Sequence, residues 1–547
     1  MVSVPCLPRA DNAPAQRIAA IQAARKTYEW THDFLPGVAL STVVPPRNRP
    51  RLRWILAHVF HFYLTKLNQL LGWLVGAPRV GQASSIRDYE RMFVCLPVPP
   101  IARTFRDDAT FSRLRVAGLN PMIIRRMTAP NPSFPVTDAH LRAVPGFEGD
   151  SLEAARAEGR LYLADYSMVA PKNPEDWPDP GKFSHAPLAL FAIPRGAGSL
   201  RAIAIQCEQQ SGPDAPIFTP ADGYAWMMAR TIVEVADVAH HQPAYHGITH
   251  LVAGAFNVAM YRNMSERHPL YVLLDPHFAG TLYINDMAVD GLLAPGTLVD
   301  DIMSGSIRAT RRIAAETVHG TSLRDLMLPR AFALRGVDDA AALPDYPYRD
   351  DALLVWGAIR HWVCSYLALY YRSAADVLLD GELRAWLADA TSWEGGRLRY
   401  EAESLATVED LCDLVTLIIF NSSAQHAALN YPQGPIMSFV PASPMAAYLP
   451  APTTKEDVTE AEWLAMLPPF ERAEQQLELG YRLAAVGHTR LGYYPRRHFR
   501  DPRVAPLLSE FQARLRDVES AIRERNAVRD VPYEFLLPSK IPQSVDI

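Results

Sequence analysis

The sequence predicts a mainly α-helical protein with a minor β-sheet, and three observations carry that prediction. Tyr348 to Tyr371 reads YRDDALLVWGAIRHWVCSYLALYY, with apolar residues recurring at three and four, the spacing that lines one helix face. ADGYAWMMARTIVEVADVAHH, beginning at Ala221, holds the same pattern. Residues 160–206 instead contain LYLADYSMV, PLALFAIP and LRAIAIQC, short apolar runs bounded by Pro and Gly that fit a small sheet beside the helical body. No internal repeat or low-complexity segment breaks this texture.

At 547 residues the chain has room for several domains or for one large enzyme with a substantial core. Hydrophobic residues make up 49% and charged residues 21%, an ordinary globular balance. A net charge of −5 gives no reason to expect nucleic acid as a partner. The five cysteines, Cys6, Cys95, Cys207, Cys364 and Cys412, lack C-x-x-C spacing, which predicts reduced thiols in an intracellular protein. The opening MVSVPCLPRADNAPAQR is broken by prolines and polar residues where a signal peptide needs an apolar run, so the expected location is cytoplasmic.

The first 50 residues, rich in Pro, Arg and Ala, predict a surface arm with one short helix around Arg17 to Trp30. The next segment, Trp54 to Val75, is the most apolar run in the chain and about long enough to be tested as a membrane span. His58, His61, Lys66, Asn68 and Gln69 interrupt it, and each is costly in hydrocarbon. An amphipathic helix is therefore expected, packed on the core in preference to resting on a membrane surface. Further on, a helix is predicted before a turn at Ala117–Pro121, which Gly118 and Pro121 justify.

Chemistry concentrates where four histidines fall close together: His240, His241, His246 and His250. On a helix, His246 and His250 are i and i+4, so both imidazoles share one face, which is metal-ligand spacing. A zinc-protease helix needs glutamate directly after the first histidine, and position 247 is glycine. A di-iron carboxylate bundle needs several Glu ligands, and only Glu234 and Asp237 stand nearby. A second i, i+4 pair, His426 and Asn430, sits in IIFNSSAQHAALNYPQGP, and the sequence closes with PYEFLLPSKIPQSVDI, ending at Ile547.

These motifs together resemble the lipoxygenases, in the bacterial form made of the catalytic domain alone. In that family two histidines on one helix, a third histidine and an asparagine on another, and a C-terminal isoleucine carboxylate hold one non-haem metal. The resemblance implies His246, His250, His426, Asn430 and Ile547 as metal ligands. It implies supporting roles near the metal for His241, Gln242 and Gln433, and pocket positions for Ala288 and Leu292. It covers roughly residues 85–547, leaving 1–84 as an N-terminal arm whose helix at about 54–75 covers the core, with no room for the N-terminal β-barrel of plant and animal members.

In most family members the two helix ligands are five apart, on a helix widened towards π geometry. Here they are four apart, as in the fungal manganese members, so no widened turn is expected, although Pro243 must start or kink the helix. The terminal isoleucine favours iron, with manganese as the alternative. Any extension beyond Ile547 is expected to abolish metal binding.

The implied reaction is hydrogen abstraction by a metal-bound hydroxide from a bis-allylic carbon of a polyunsaturated fatty acid, C18 or C20, followed by O2 addition to give a hydroperoxide. Ala288 implies an S product, and Val289 replaces the arginine that usually follows this alanine. The alternatives are a hydroperoxide isomerase on the same site and a non-catalytic, membrane-associated lipid-binding scaffold. His240, His268 and His277 are expected to be packed or capping residues.

Overall fold

In the computed structural model, residues 4–545 are described, apart from 51, 178–179, 197, 402–403 and 485–488. Pro14 opens the first helix, α1 (Pro14–Thr27), where its missing amide hydrogen costs nothing. A two-residue antiparallel ladder, Trp30–Thr31 against Leu40–Ser41, leads to α2 (Leu52–Val75). Beyond two short helical turns, Ile86–Glu90 and Pro100–Arg103, lies α3 (Asp108–Ala117), ending at Gly118 of the predicted turn.

The apolar runs of residues 160–206 form the centre of a five-stranded antiparallel sheet in chain order: β1 (Arg125–Arg126), β2 (Leu161–Asp165), β3 (Leu188–Ala192), β4 (Arg201–Gln206) and β5 (Ile217–Phe218). The middle strand, LALFA, is buried at every position because both faces are covered. On one face, α3 lies across β4, where Ser112 Oγ accepts from the Ala202 amide at 2.8 Å. On the other face, Phe134, Leu141, Val144 and Phe147 form a small separate core.

The predicted helix after Ala221 becomes α4 (Gly223–His240), which continues through a π-helical turn, His241–His246, into α5 (Gly247–Asn263). This rod runs through the interior, and nearly every residue of it is buried. Around it stand α6 (Thr281–Gly291) and α7 (Ile307–Gly320), while α8 (Pro347–Leu367) lies against a second rod. That second interior rod consists of α9 (Val408–Phe420), another π turn at Asn421–Gln425, and α10 (His426–Asn430). The layer is completed by α11 (Phe470–Leu483) and α12 (Val504–Val528), the latter docked on α8 where Trp362 stacks on Phe511 with ring centres 5.5 Å apart.

The last described residues re-enter the interior beside α6. Leu536, Leu537, Ile541 and Val545 are buried, the Gln543 carbonyl lies 2.8 Å from His277 Nδ1, and Thr281 Oγ1 donates to the Val545 carbonyl at 3.2 Å. Ile547 lies outside the described residues.

Helix α2 turns its polar residues inward and most of its large apolar residues outward. Asn68 is buried, its Oδ1 accepting from the amides of Val94, Cys95 and Leu96 and its Nδ2 donating to the Met92 carbonyl. Lys66 and Gln69 both reach Glu478 of α11, at 2.7 and 3.1 Å. Hydrogen bonding of the neighbouring loop, rather than apolar contact, thus holds much of this helix in place. Among the described residues no helix is long and apolar enough to cross a membrane.

Candidate metal centre

The two interior rods cross so that their histidines meet. A nitrogen from each of His246, His250 and His426 lies within 4.8 Å of one from each of the others. His246 and His250 face each other through their Nε2 atoms at 3.3 Å, and the His246 and His426 rings stack with centres 5.4 Å apart. Burial lowers His246 well below the usual imidazole range, with the neighbouring imidazoles adding to the effect, and brings His250 down to about 4. Both are neutral at ordinary pH, the state in which an imidazole nitrogen can ligate. Three nitrogen donors converging in this way, those of His246 and His426 buried and that of His250 half-buried, fit a transition-metal ion, and the cluster could hold one.

The expectation that the shorter ligand spacing needs no widened turn is overturned. A π turn spans His241–His246 even though His246 and His250 are only four apart, and the Gly247 amide reaches back five residues to the Gln242 carbonyl. Pro243 gives the physical reason: it cannot donate, and in a regular helix its ring clashes with the carbonyl four residues back, a conflict that one extra residue in the turn relieves. Gly247 suits the widened turn, since a Cβ there would stand only 3.2 Å from the Gln242 carbonyl oxygen. The second π turn contains no proline. There Ser423 Oγ donates to the Ile419 carbonyl, and Asn421 Nδ2 donates to the Thr249 carbonyl at 3.0 Å, tying the two rods together one residue before His250.

Around the histidines each named polar residue has a place. Gln242 Nε2 donates to Gln433 Oε1 at 2.7 Å, and Gln433 Nε2 donates to Asn430 Oδ1 at 2.9 Å. This amide relay runs from the cavity wall, where Gln242 is exposed, to Asn430, whose own Nδ2 donates to the Leu483 carbonyl of α11. His241 stacks parallel to His246, and its Nε2 lies 3.0 Å from the Leu429 carbonyl. The remaining histidines behave as packed or capping groups. His268 caps the turn at Leu270 and pairs with Asp380, His277 bridges Gln543 and Tyr494, and His240 takes a hydrogen bond from Asn120.

Two supporting features were not read from the sequence. Asn285 of α6 sits with Oδ1 3.3 Å from His250 Nδ1 while its Nδ2 donates to the His250 carbonyl, so it fixes that ring. Gly254 permits this approach, because a Cβ there would lie 2.5 Å from Asn285 Nδ2. Only the pairing of a helix-interior glycine with a downstream asparagine hints at this, and sequence spacing does not show it. The second feature concerns Glu234 and Asp237. Arg115 donates to both oxygens of Glu234, at 2.7 and 2.8 Å, and Tyr166 donates to Asp237 at 2.6 Å. Burial raises both carboxyls and Arg115 opposes it, so these acids belong to a structural ion cluster.

Beside the histidines opens a cavity of about 440 Å³. His246 and His250 stand in its wall with Ala288 and Leu292, and most of the remaining lining is aliphatic or aromatic. Trp54 and His58 of α2 close one side, and Arg311 and Arg482 also reach it. Its size and apolar lining suit a long hydrocarbon chain.

Fold and site together define a class: a helical enzyme whose buried histidine centre opens directly onto an apolar cavity. The chain belongs to the lipoxygenase family, whose profile matches residues 79–533. A linoleate 9/13-lipoxygenase of Pseudomonas aeruginosa is 40% identical over 486 residues, covering 85% of this chain and 70% of the relative. The human polyunsaturated fatty acid lipoxygenase ALOX15B is 33% identical over 562 residues, covering 98% of this chain and 81% of the relative. An anaerobic crystal structure of a lipoxygenase variant in complex with arachidonate superposes with a TM-score of 0.93 at 28% identity, covering 100% of this chain and 84% of that one.

Proposed function

We propose that this protein is a non-haem metal dioxygenase that converts C18 or C20 polyunsaturated fatty acids and O2 into fatty acid hydroperoxides, in peripheral contact with a membrane. The observation that carries the reading is the presence of His246 and His250 in the wall of a mainly apolar cavity. His246, His250, His426 and Asn430 would hold the ion, iron in this reading and manganese as the alternative, with Ile547 completing the set. When bound, such an ion supplies one-electron hydrogen abstraction from a bis-allylic carbon, after which O2 adds to the carbon radical.

The chain's own groups prepare that chemistry. Burial keeps the imidazoles unprotonated, and Asn285 holds the His250 ring. The relay from Gln242 through Gln433 couples the cavity wall to Asn430, so substrate packing can be felt at that side chain. Ala288 and Leu292 bound the space for the acyl chain, and the apolar lining excludes competing water. The small Ala288 supports S oxygenation.

The test is elemental analysis of the purified protein combined with oxygen uptake and conjugated-diene absorbance on linoleate. Iron near one per chain with diene formation supports the reading, and manganese in its place selects the alternative ion. Turnover of preformed hydroperoxide under low oxygen without linoleate oxygenation assigns an isomerase. Absence of metal and of both activities leaves the lipid-binding scaffold.

A further inference from the structure

We infer that Cys364 and Cys412 form a thiol pair that reduces a fatty acid hydroperoxide to the alcohol and closes as a disulfide between α8 and α9. The proposal rests on the dioxygenase reading for its oxidant, the product class of the cavity, and gives the chain a second redox reaction away from the histidines. All five cysteines are free thiols, and among the described residues Cys364 and Cys412 are the pair whose side chains hydrogen-bond to each other. Their meeting follows from how the helices pair. Helices α8 and α9 run antiparallel: Trp356 packs edge-on against Phe420 with ring centres 5.4 Å apart, and one turn further along α8, Arg360 Nε donates to Asp413 at 2.8 Å. Cys364 occupies the next turn of α8 on the same face, and Cys412 adjoins Asp413, so this register brings the two sulfurs together.

Exposure divides the roles. Cys364 is half-buried on a strip that runs from the exposed Gly357 to the exposed Ala368, whereas Cys412 lies behind it at 2% exposure. The S–H of Cys412 donates to the Cys364 sulfur and holds that thiol below its usual range despite partial burial. Arg360 adds to the effect, while Asp413 and Glu409, which share its guanidinium, oppose it. The same contact and burial push Cys412 up, so it keeps its proton. A reachable thiolate backed by a protonated partner is the arrangement of an attacking and a resolving cysteine. The Cys364 thiolate attacks the terminal oxygen of the hydroperoxide, the O–O bond breaks, and the alkoxide takes up the thiol's proton and leaves as the alcohol. Cys364 is left as a sulfenic acid. The Cys412 sulfur then attacks the Cys364 sulfur, the S–O bond breaks, and hydroxide leaves as water with the Cys412 proton. Two thiols thus give up the two electrons that the peroxide gains. The new bond staples α8 to α9, the segment that leads into the second π turn and His426.

The experiment adds a preformed linoleate hydroperoxide to the anaerobic full-length protein, blocks remaining thiols by alkylation, maps the cysteines by peptide mass spectrometry and measures the hydroxy acid formed. A Cys364–Cys412 disulfide with one equivalent of hydroxy acid per chain is expected, reversed by dithiothreitol, while Cys6, Cys95 and Cys207 alkylate as before. Cys364→Ser should abolish both products yet oxygenate linoleate at the unmodified rate, and Cys412→Ser should stop at a Cys364 sulfenic acid that dimedone traps. If Cys364 and Cys412 stay open to alkylation, or if the exposed Cys95 is oxidised in their place, the proposal is overturned. Hydroxy acid that persists in Cys364→Ser also overturns it, by assigning the reduction to the histidine centre. The disulfide map is read on the unmodified protein, so it decides the matter even where a variant fails to fold. Because the hydroperoxide is supplied ready-made, failure of the dioxygenase reading would show separately, as absence of oxygen uptake on linoleate.

Discussion

Helices α5 and α2 are both rich in apolar residues, yet they meet the rest of the molecule in opposite ways. Around α5 nearly every surface is covered apart from the stretch that faces the cavity, and polar side chains there have named partners: His250 is held by Asn285, and Thr249 by the His246 carbonyl. In α2 Thr65 and Asn68 are the buried side chains, and most of the large apolar groups face outward. What differs is which residues the neighbouring segments can satisfy. The loop at residues 92–96 offers backbone amides and carbonyls that Asn68 can bind, and α11 offers Glu478. Those groups lie beneath α2, shielded from water, so the polar stripe of the helix turns inward to meet them.

That contrast can be broken or sharpened by substitution, beginning with the largest expected effect. His426→Ala removes one of the three converging imidazoles and should abolish both metal retention and linoleate oxygenation, as read by elemental analysis and oxygen uptake. Arg115→Met leaves Glu234 and Asp237 buried without their cation and should cost about 3–5 kcal/mol in urea unfolding. Gln433→Leu cuts the relay between Gln242 and Asn430 and should lower metal affinity or turnover by about 10–100-fold while the fold persists, which metal competition and circular dichroism would show.

On α2 the inner and outer faces should respond differently. Asn68→Ala strands three loop amides and should destabilise by about 1–3 kcal/mol, although it lies far from the histidines in sequence. Phe60→Ser, on the outer face, should shift unfolding by no more than about 0.5 kcal/mol in the absence of lipid. If Phe60→Ser proved as costly as Asn68→Ala, the outward face would be shown to have a packed partner.

Much of the centre was legible because its residue types are rare in that pattern. His246, His250 and His426 could be named in advance, and the structure brings them together. The strands of residues 160–206 were also legible, since short apolar runs between Pro and Gly have few other uses. Three things were not. The orientation of α2 depends on loop amides contributed by another segment, and periodicity reports a face without saying what it meets. The π turn before His246 follows from a steric conflict at Pro243 that ligand spacing alone does not reveal. The role of Asn285 needs Gly254 to leave room from a different helix, a condition visible only in three dimensions.

The two widened turns also set a phase. Each residue advances a helix by about 100°, so one added residue per turn offsets everything downstream by that angle from where an uninterrupted helix would carry it. Both interior rods contain such an offset, ending at His246 in the first and just before His426 in the second. Were residues 421–425 to relax into a regular α-helix with none removed, His426 would swing to another side of that rod and the three imidazoles would part. The centre therefore depends on an imperfection in each rod, and a more regular helix would be the less functional one.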